Sequence, residues 1–386
     1  MRAAVVSLGS TSSQWTVEAM RKYFDEVDSI NIKYVEISFS GKKAKILYKG
    51  EPLPDYDCIL AKGSFRYANV LEALTLLRAE TTYLPIDHSA FTIAHDKLLT
   101  QLELQKHNLP MPKTYMASTV VAARSILERL NYPIIMKFPQ GTQGKGVLFA
   151  ESFASASSIL DALSSLRQPF IIQEYVETGG TDLRVFVLGD EVVAAYQRKS
   201  NGKDVRANIH AGGTGELIDI SEETKRIALN AARAVKADIC GVDILMSHTG
   251  PVVIEVNLSP GLQGITQYTG IDVADRIAHY LFKRTSSKVK KQMTESADDI
   301  LADIDKMQLS KPKRTSKIIK TNSSYIDDGS GEVLITSLDF RASRVLLPEV
   351  ITKSAKLTDK SDYEFISKPG EVVIRKFDMG FELDEE

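Results

Sequence analysis

The sequence has 386 residues, of which 43% are hydrophobic and 25% charged, a composition typical of a globular protein with two or three domains and not of a disordered or fibrous chain. Its 48 basic and 50 acidic side chains leave a net charge of −2, so no overall field favours nucleic acid or an anionic membrane as a partner. Only two cysteines are present, Cys58 and Cys240, which excludes a disulfide framework and a Cys-rich zinc site, and no run approaches the roughly 20 apolar residues of a membrane-spanning helix.

The first 94 residues have the pattern of a layered α/β domain. Short apolar runs at 3–8 and 57–61 predict buried strands, and helical periodicity appears at 14–24 and 68–79. The first run is too short for a secretory signal and lacks a small-residue cleavage site. We therefore assign that run to the fold and expect a cytoplasmic protein.

A second domain is predicted over 95–283. Its first helix begins around Asp96, and the Pro-containing segment 109–114 ends that helix. A strand-rich pattern follows, with strands expected at 133–138, 146–150, 170–176, 241–245 and 252–257 and a helix at 222–236.

The last hundred residues differ in charge from the rest of the chain. Residues 283–320 carry 11 basic and 5 acidic side chains, whereas residues 321–386 carry 8 basic and 14 acidic ones. We predict a charged linker over 284–325 with one short helix at 297–309. A small β-rich appendage with an acidic tail is expected over 326–386, with strands at 332–338, 344–347 and 371–377.

A glycine-rich loop lies between two of the predicted strands and contains Gly141, Gly144 and Gly146. Glycines at this density let backbone N–H groups approach an anion closely, although a plain hairpin turn explains the loop equally well. The loop is not a Walker loop, because no Gly-Lys-Ser/Thr opens a following helix, and it is not a dinucleotide fingerprint.

Two candidate positions on strands carry charge. Lys137 lies in an apolar strand, where a cation is costly unless an anion meets it. The alternative is an edge-strand lysine whose ammonium reaches solvent. Asp182 and Arg184 share one face of a strand, where they either bind a ligand or form a structural salt bridge.

The strongest set of polar residues lies on the last two strands of the second domain. Asp243 follows Gly241-Val242, and Glu255 and Asn257 lie two residues apart, so that they point to the same face. Oxygen ligands from adjacent strands suit Mg²⁺, and carboxylates among Val and Ile need a cation or a partner. We predict a metal site, with a satisfied hydrogen-bond network as the alternative.

Taken together, these segments resemble the ATP-grasp ligases and are similar to the RimK-type glutamate ligases. The segments that carry the likeness are Asp96-Lys97, Lys137 with its Gly-rich loop, Gln173-Glu174-Tyr175, Asp182-Leu183-Arg184, the Arg-x-Asn-x-His-x-Gly-Gly motif at 206–213, Asp243, and the Glu-Val-Asn-x-Ser-Pro-Gly motif at 255–261. The likeness covers about residues 1–283. It implies an α/β (α+β) chain with an ATP-grasp fold of two subdomains, a hinge near 174–176, and a Rossmann-like preATP-grasp domain at 1–94.

Position by position, the resemblance also implies roles in binding. Lys97 and Lys137 are implied to hold the ATP phosphates, and the loop with Gly141, Gly144 and Gly146 is implied to close over them. Glu174 and Tyr175 are implied to line the adenine and Asp182 to contact the ribose. Arg206 and Asn208 are also implied to reach the nucleotide. The residues implied to hold two Mg²⁺ or Mn²⁺ ions are Asp243, Glu255 and Asn257, with Glu255 bridging the ions. Arg184, Arg206 and His210 are candidates for holding the acceptor carboxylate and the anionic intermediate. Arg198 is either a further candidate or a solvated surface residue.

The reaction that the resemblance implies is ATP-dependent formation of an amide or peptide bond through an acylphosphate, in which L-glutamate is added to a carboxylate acceptor. The acceptor is left open between a protein C-terminus, an amino-group carrier and a small-molecule coenzyme. A dimer or tetramer is expected from related enzymes. One alternative is a ligase that uses another amino acid, and another is a regulatory ATP-binding protein without turnover. A nucleic-acid-binding module on the basic segment ranks last, because that segment has no aromatic residue to stack on bases.

Two departures from the family pattern concern the choice of substrate. The sequence Pro260-Gly261-Leu262-Gln263-Gly264-Ile265-Thr266 ends in Thr where such ligases often have Glu, so one carboxylate near the site is lost. Lys62-Gly63-Ser64 stands where Arg-x-Gly is common. A separate hypothesis is that the enzyme glutamylates its own acidic end, Glu385-Glu386, against the alternative of a solvated tail.

Overall fold

The computed structural model divides the chain into two units, residues 1–310 and 311–386. The residues that the structure describes are 1–39, 43–139, 146–165, 169–200, 214–309, 339–341, 344–346, 363–368 and 371–376. Among these residues, no helix combines the length and the apolar character needed to cross a membrane.

The N-terminal part is built on three parallel strands in the order β2–β1–β6, and the predicted strands 3–8 and 57–61 are the two adjacent strands β1 and β6. The elements of this part are β1 (Arg2–Ser7), α1 (Thr11–Met20), β2 (Glu26–Asn31), β3 (Val35–Ser38), β4 (Lys45–Tyr48), β5 (Glu51–Pro52), β6 (Cys58–Ala61), α2 (Ala68–Arg78) and α3 (His88–His95). Helix α1 begins before the predicted residue 14 because the Ser10 side chain caps it, accepting a hydrogen bond from the Ser13 backbone N–H. Strands β3, β4 and β5 form a separate antiparallel sheet.

The next part is a four-stranded antiparallel sheet in the order β7–β10–β8–β9. Its elements are α4 (Lys97–Lys106), β7 (Thr114–Ala117), α5 (Val120–Leu127), β8 (Ile134–Lys137), β9 (Val147–Ala150), α6 (Phe153–Ser165) and β10 (Phe170–Glu174). The strands expected at 133–138, 146–150 and 170–176 are all present. Because β8 is an interior strand, Lys137 is not an edge-strand lysine.

A five-stranded antiparallel sheet in the order β13–β12–β11–β14–β15 follows. Its elements are β11 (Thr181–Leu188), β12 (Glu191–Lys199), β13 (Thr214–Leu217), α7 (Glu222–Ala234), β14 (Ile239–Ser247), β15 (Gly250–Asn257) and α8 (Leu262–Thr269). The runs predicted as strands at 241–245 and 252–257 lie within β14 and β15, which pair with each other.

Two separate hydrophobic cores hold these three sheets. One core is continuous from the N-terminal parallel sheet to the five-stranded sheet and includes Val5, Leu60, Val242 and Ile265. The other lies inside the four-stranded sheet and its helices, around Ile134, Leu160 and Ile172. The four-stranded sheet is therefore a body with its own core beside a larger, shared one.

The helix expected at 297–309 is present, but it is the end of a longer helix, α9 (Val273–Leu309), so that residues 284–296 are helical where a linker was predicted. No glycine or proline interrupts this stretch, so nothing in the backbone ends the helix. Its first turns also pack on the body: Leu281 and Thr285 are fully buried, and the Lys288 ammonium donates hydrogen bonds to the Ala79 and Thr82 carbonyls at 3.1 and 2.7 Å.

The second unit contains two antiparallel hairpins in its described residues. The first joins β16 (Asp339–Arg341) to β17 (Arg344–Leu346), and the second joins β18 (Tyr363–Lys368) to β19 (Glu371–Lys376). The strands expected at 344–347 and 371–377 correspond to β17 and β19, whereas the one expected at 332–338 lies outside the described residues.

Both cysteines lie inside the shared core, which makes a testable prediction. Burial raises the pKa of the Cys58 thiol to about 12 and that of the Cys240 thiol above its ordinary range. In native protein at pH 8 we expect both thiols to react with a disulfide reagent at least about 100-fold more slowly than free cysteine, because the thiolate is the reactive form. Rapid release of two equivalents without denaturant would contradict the buried placement.

Candidate active site

The candidate site is organised around Asp243 in the middle of the five-stranded sheet. Asp243 pairs in register with Arg184 of β11 on one side and with Glu255 of β15 on the other. Cross-strand partners in a sheet point to the same face. The side chains of Arg184, Asp243 and Glu255 therefore lie on one face of the sheet. The sequence predicted that Glu255 and Asn257 share a face.

Two arginines neutralise Asp243, which is 4% exposed. Arg184 binds both of its carboxylate oxygens, through Nε at short distance and through Nη2 at 2.7 Å. Arg198 Nη2 lies 3.0 Å from Oδ2. Burial alone would raise the pKa of Asp243, but Arg184 and Arg198 hold it below its ordinary value. Asp243 is therefore a carboxylate that stays ionised inside the protein.

Asp182 has a different partner from the one that its spacing suggested. It does not pair with Arg184; both of its oxygens accept hydrogen bonds from Arg198, at 2.5 and 2.7 Å, across the β11–β12 register. Burial raises the pKa of Asp182 to about 6, against the opposing effect of Arg198. A carboxylate has about four lone-pair sites, so a further hydrogen bond from a ribose hydroxyl is still available to Asp182.

Arg198 is thus neither solvated nor at the surface, since it is 7% exposed. It bridges Asp182 and Asp243, and the surface alternative considered from the sequence is wrong. The physical reason is the register, which places Arg198 opposite Asp182 on the face that also carries Asp243. A sequence without the register carries no sign of this pairing.

Glu255 and Asn257 complete the acidic part of the site. Asn257 donates a hydrogen bond from Nδ2 to Asp243 Oδ2 at 3.2 Å, and an irregularity in the pairing after Asp243 leaves Ile254 as an extra residue in β15. Burial, and next the charge of Asp243, raise the pKa of Glu255, while Lys97, Arg184 and Lys137 oppose that rise. The pKa of Glu255 therefore depends on charges from the five-stranded sheet and from the side of the four-stranded sheet.

The donor set fits a divalent cation of the Mg²⁺ type. It offers two carboxylates and an amide, all oxygen donors, and the repulsion between Asp243 and Glu255 is the kind that a cation between them relieves. Within the described ranges there is no cluster of three or more His, Cys, Asp or Glu side chains suited to a metal ion. The predicted set does not form such a cluster because its third member, Asn257, offers an amide oxygen instead of a carboxylate.

Lys137 brings a positive charge from the four-stranded sheet. Burial, together with repulsion from Lys97, lowers the pKa of Lys137 to about 8, and Glu255 counteracts the shift. Its ammonium donates to Gln173 Oε1 at 2.8 Å, and Gln173 Nε2 donates to Thr114 Oγ1 at 2.7 Å. The amide of Gln173, buried between the two, holds the lysine head in place without neutralising its charge.

Lys97 lies at the start of α4, where Asp96 caps the helix. The Asp96 carboxylate accepts hydrogen bonds from the Leu98 and Leu99 N–H groups at 2.9 and 3.1 Å, and the Lys97 N–H donates to the Pro139 carbonyl at 3.0 Å. Burial lowers the pKa of Lys97, with Glu255 and Asp96 acting against it. The helix start therefore places a second lysine near Glu255.

Three of the remaining predicted residues are described, and five lie outside the described residues. Gly146 has φ +77°, and a Cβ there would come within 2.9 Å of Phe138, so the end of the loop requires glycine. The Glu174 carboxylate accepts from the Lys113 N–H at 2.9 Å, and the Tyr175 ring meets Phe149 edge to face. Gly141, Gly144, Arg206, Asn208 and His210 lie outside the described residues.

Two functional contacts were missed by the sequence. Gln173 was part of a motif but had no role, and it proves to be the partner of Lys137. The second contact is the bridge from Arg198 to Asp243. In each case the signal is a polar side chain on an otherwise apolar strand, which marks the position as special but does not name the partner.

Comparisons with known proteins find a matching domain and similar full-length relatives. The sequence profile described as the RimK-like ATP-grasp domain matches residues 94–281. A protein of Vibrio atlanticus named probable alpha-L-glutamate ligase is 35% identical over 293 residues, which cover 73% of this chain and 96% of that protein. One of the same name from Shewanella loihica is 35% identical over 289 residues, covering 74% and 96%.

Solved structures share the fold. A RimK domain ATP-grasp protein from Sphaerobacter thermophilus aligns with a TM-score of 0.58 at 19% identity, over 73% of this chain and 99% of that one. The ATP-grasp ligase PsnB, in complex with a phosphomimetic variant of its minimal precursor, Mg and ADP, aligns with a TM-score of 0.59 at 20% identity, over 74% and 98%. The predicted fold, ATP-grasp in the α/β class, is confirmed.

The bridging arginine yields a stability prediction. Replacing Arg198 with Met leaves the buried carboxylates of Asp182 and Asp243 short of a partner, so we expect the free energy of unfolding to fall by about 3–5 kcal/mol. The control variant Arg233→Met removes an exposed ion pair with Asp190 and should change the free energy of unfolding by less than about 1 kcal/mol. Equal effects of the two variants in urea denaturation would contradict the bridge.

Proposed function

Since this chain belongs to the RimK-like ATP-grasp family, we propose that it joins L-glutamate to a carboxylate acceptor in an ATP-dependent reaction. Membership confirms the resemblance predicted from the sequence and the prediction of an ATP-dependent ligase. The acylphosphate route, the amino acid and the roles of single residues are parts of the proposal.

One observation carries the proposal: two lysines beside the four-stranded sheet and an aspartate–arginine pair on the five-stranded sheet act on the same carboxylate. Glu255 is influenced by Lys97 and Lys137 from the side of the four-stranded sheet and by Asp243 and Arg184 from the five-stranded sheet. A polyanion and its cations between the two sheets would meet opposite charges on both sides. This arrangement suits phosphoryl transfer, where positioning and electrostatics do most of the work.

We assign the phosphates of ATP to Lys97 and Lys137. Burial makes the charged form of both lysines unfavourable, and this lowers their pKa values. Phosphate oxygens beside the ammonium groups would stabilise the charged form. Gly146 has a positive φ, as a turn at the end of the loop requires, and with Gly141 and Gly144 it is proposed to close the loop over the phosphates.

The rest of the nucleotide is assigned along the hinge. Glu174 and Tyr175, at the end of β10, are proposed to line the adenine, and Asp182, at the start of β11, to meet the ribose. The two strands are connected by residues 175–180, so these positions follow each other along one path. Arg206 and Asn208 are proposed to reach the nucleotide from the segment between β12 and β13.

Asp243, Glu255 and Asn257 are proposed to hold two Mg²⁺ or Mn²⁺ ions, with Glu255 shared between them. Such ions, when bound, neutralise charge on a transferring phosphoryl group. Arg184 contacts Asp243 on the same face, and with Arg206 and His210 it is proposed to hold the acceptor carboxylate. A planar guanidinium suits this task because it binds a carboxylate through two parallel hydrogen bonds.

In the proposed reaction, a carboxylate oxygen of the acceptor attacks the γ-phosphorus of ATP and ADP leaves, giving an acylphosphate. The glutamate amine then attacks the acyl carbon, phosphate leaves, and the amine releases a proton. Lys97, Lys137 and Arg184 stabilise the negative charge at the centre. No serine or cysteine nucleophile takes part, which agrees with the burial of Cys58 and Cys240 in the core.

The names of the relatives support glutamate as the amine. The acceptor is proposed to be a protein C-terminus or a small molecule, and the enzyme is proposed to act as a homo-oligomer, a dimer or a tetramer. The second candidate, a regulatory ATP-binding protein, lacks an observation in its favour because the lysines and the acidic set are all present.

The proposal is tested by adding the protein, radiolabelled L-glutamate and Mg-ATP to a dialysed cell extract, with and without its small-molecule fraction. We expect ADP release and transfer of label, to a macromolecule or to a small molecule according to the acceptor. Glu255→Gln should lose at least about 100-fold of the activity, because the variant removes a charge proposed to hold metal. No label and no ADP release would refute the ligase, and label from another amino acid would refute glutamate.

Nucleotide binding should depend on pH through Lys137. Its pKa of about 8 means that the charged form prevails below pH 8 and is lost as the pH rises through 8. We expect the affinity for Mg-ADP, measured by calorimetry, to fall about tenfold from pH 7 to pH 9. Lys137→Met should bind more weakly and lose much of this dependence, whereas the exposed Lys33→Met should behave as the wild type. The same pH profile in Lys137→Met would contradict the assignment.

A further inference from the structure

A second buried lysine, Lys62, has no role in the reaction as proposed. It follows β6 directly, and its backbone N–H donates to the Val6 carbonyl of β1 at 2.8 Å, at the carboxyl end of the parallel sheet. The residue is 7% exposed. Ligands of open parallel sheets bind at the carboxyl ends of the strands, so the position itself is one where a ligand is expected.

The charge of Lys62 has no compensation in the part of the chain that the structure describes. Burial lowers its pKa to about 8, and no neighbouring carboxylate acts against that shift. Lys137 has the same lowered pKa, but its ammonium donates to Gln173, whereas none of the described residues accepts a hydrogen bond from the Lys62 ammonium. A buried cation without a partner costs free energy, and an anion that enters from outside would remove that cost.

The residue after Lys62 connects it to the candidate active site from two sides. The Gly63 N–H donates to Ser259 Oγ at 2.9 Å, and Ser259 Oγ donates to the Gly63 carbonyl at 3.2 Å. Ser259 is two residues beyond Asn257 in the segment that leaves β15. The Gly63 backbone also acts on the His95 ring, beside the start of α4, where it opposes the lowering of the His95 pKa by burial. The backbone next to Lys62 is therefore joined to the segment that follows β15, the strand that carries Glu255.

A second pair of contacts fixes the same boundary. Ser12 Oγ donates to Gln263 Oε1 at 2.7 Å and accepts from the Leu262 N–H at 2.9 Å. Gln263 belongs to the segment in which the sequence departs from the family pattern, as does Lys62. Lys62 and the segment that begins with Leu262 and Gln263 thus lie on the two sides of one boundary, between the N-terminal sheet and the segment after β15.

We propose that Lys62 binds a carboxylate of the amino-acid substrate, one that does not react, at this boundary. The inference rests on the proposed ligase function and adds the residue that selects its amine. The reacting carboxylate must approach the phosphates beside Glu255, where Lys97, Lys137 and Arg184 act on the charge and Lys62 is not among the leading influences. A carboxylate at Lys62 is therefore a spectator, and glutamate keeps both of its carboxylates intact while its amine reacts.

The test measures equilibrium binding of L-glutamate to the full-length protein in saturating Mg-ADP, by calorimetry. Lys62→Met keeps most of the length of the side chain and removes its charge, so we expect the Kd for glutamate to rise about 10- to 100-fold. The Kd for Mg-ADP should stay within twofold, Lys62→Arg should keep glutamate binding within a few-fold, and the exposed Lys33→Met should match the wild type. Unchanged glutamate binding by Lys62→Met, or an equal loss in Lys62→Arg, would overturn the inference.

Amide analogues identify the carboxylate. L-glutamine lacks the charge at the side chain and L-isoglutamine lacks it at the α position; the wild type should prefer glutamate over both. Lys62→Met should lose its preference over only one of them, the one that lacks the carboxylate held by Lys62. Preferences that all stay as in the wild type would contradict the inference. A changed KM for the acceptor with an unchanged glutamate Kd would assign Lys62 to the acceptor instead and overturn it.

A measurement on the wild type covers the case in which Lys62→Met fails to fold. Lys62 is to be modified by reductive methylation in Mg-ADP, with and without L-glutamate, and quantified by mass spectrometry of its peptide. Protection by glutamate supports the inference, and equal modification contradicts it. If the wild type neither binds nor transfers glutamate, the proposed function itself fails; if it transfers glutamate but shows no effect at Lys62, only the inference fails.

Discussion

The need to keep Asp243 charged inside the protein governs the arrangement of the five-stranded sheet. A buried carboxylate is tolerated only with a counter-charge, and here the counter-charges come from two other strands, Arg184 on β11 and Arg198 on β12. A slip of one residue in either pairing would turn these side chains to the opposite face. The charged face thus favours the same register as the burial of the apolar residues on these strands.

The charges around this face come from both sheets and are of both signs. Four cations, Lys97, Lys137, Arg184 and Arg198, stand against three carboxylates, Asp182, Asp243 and Glu255. The carboxylates are on the five-stranded sheet, and the lysines come from the four-stranded sheet and its preceding helix. A nucleotide held between them would be bound at one side by lysine ammonium groups and at the other through metal ions.

The sequence predicted those parts of the molecule that depend on local pattern. Uninterrupted apolar runs gave β1, β6, β14 and β15, and the shared face of Glu255 and Asn257 followed from the period of a strand. Strand β2, in contrast, reads Glu-Val-Asp-Ser-Ile-Asn and has no apolar run to reveal it. The long helix α9 was missed because its charge was taken as a sign of a linker, whereas the absence of glycine and proline was the better signal.

Contacts between side chains on different strands could not be predicted from the sequence, for a different reason. Whether Arg198 meets Asp182 or solvent, and whether Lys137 finds Gln173, depends on the pairing of strands, and pairing is set by the whole sheet. The sequence marks such positions only as polar residues among apolar ones. It therefore identified most members of the candidate site but not which of them neutralise one another.

The two hydrophobic cores divide the protein into parts that evolution can change independently. Substitutions that refill the core around Ile134, Leu160 and Ile172 leave the sheet of Asp243 untouched, so the body that carries Lys137 can diverge or be exchanged as a module. The N-terminal sheet has no such freedom, because its core is continuous with that of the five-stranded sheet. Substitutions that alter the boundary around Lys62 without disturbing this shared core must therefore be confined to residues that do not pack in it.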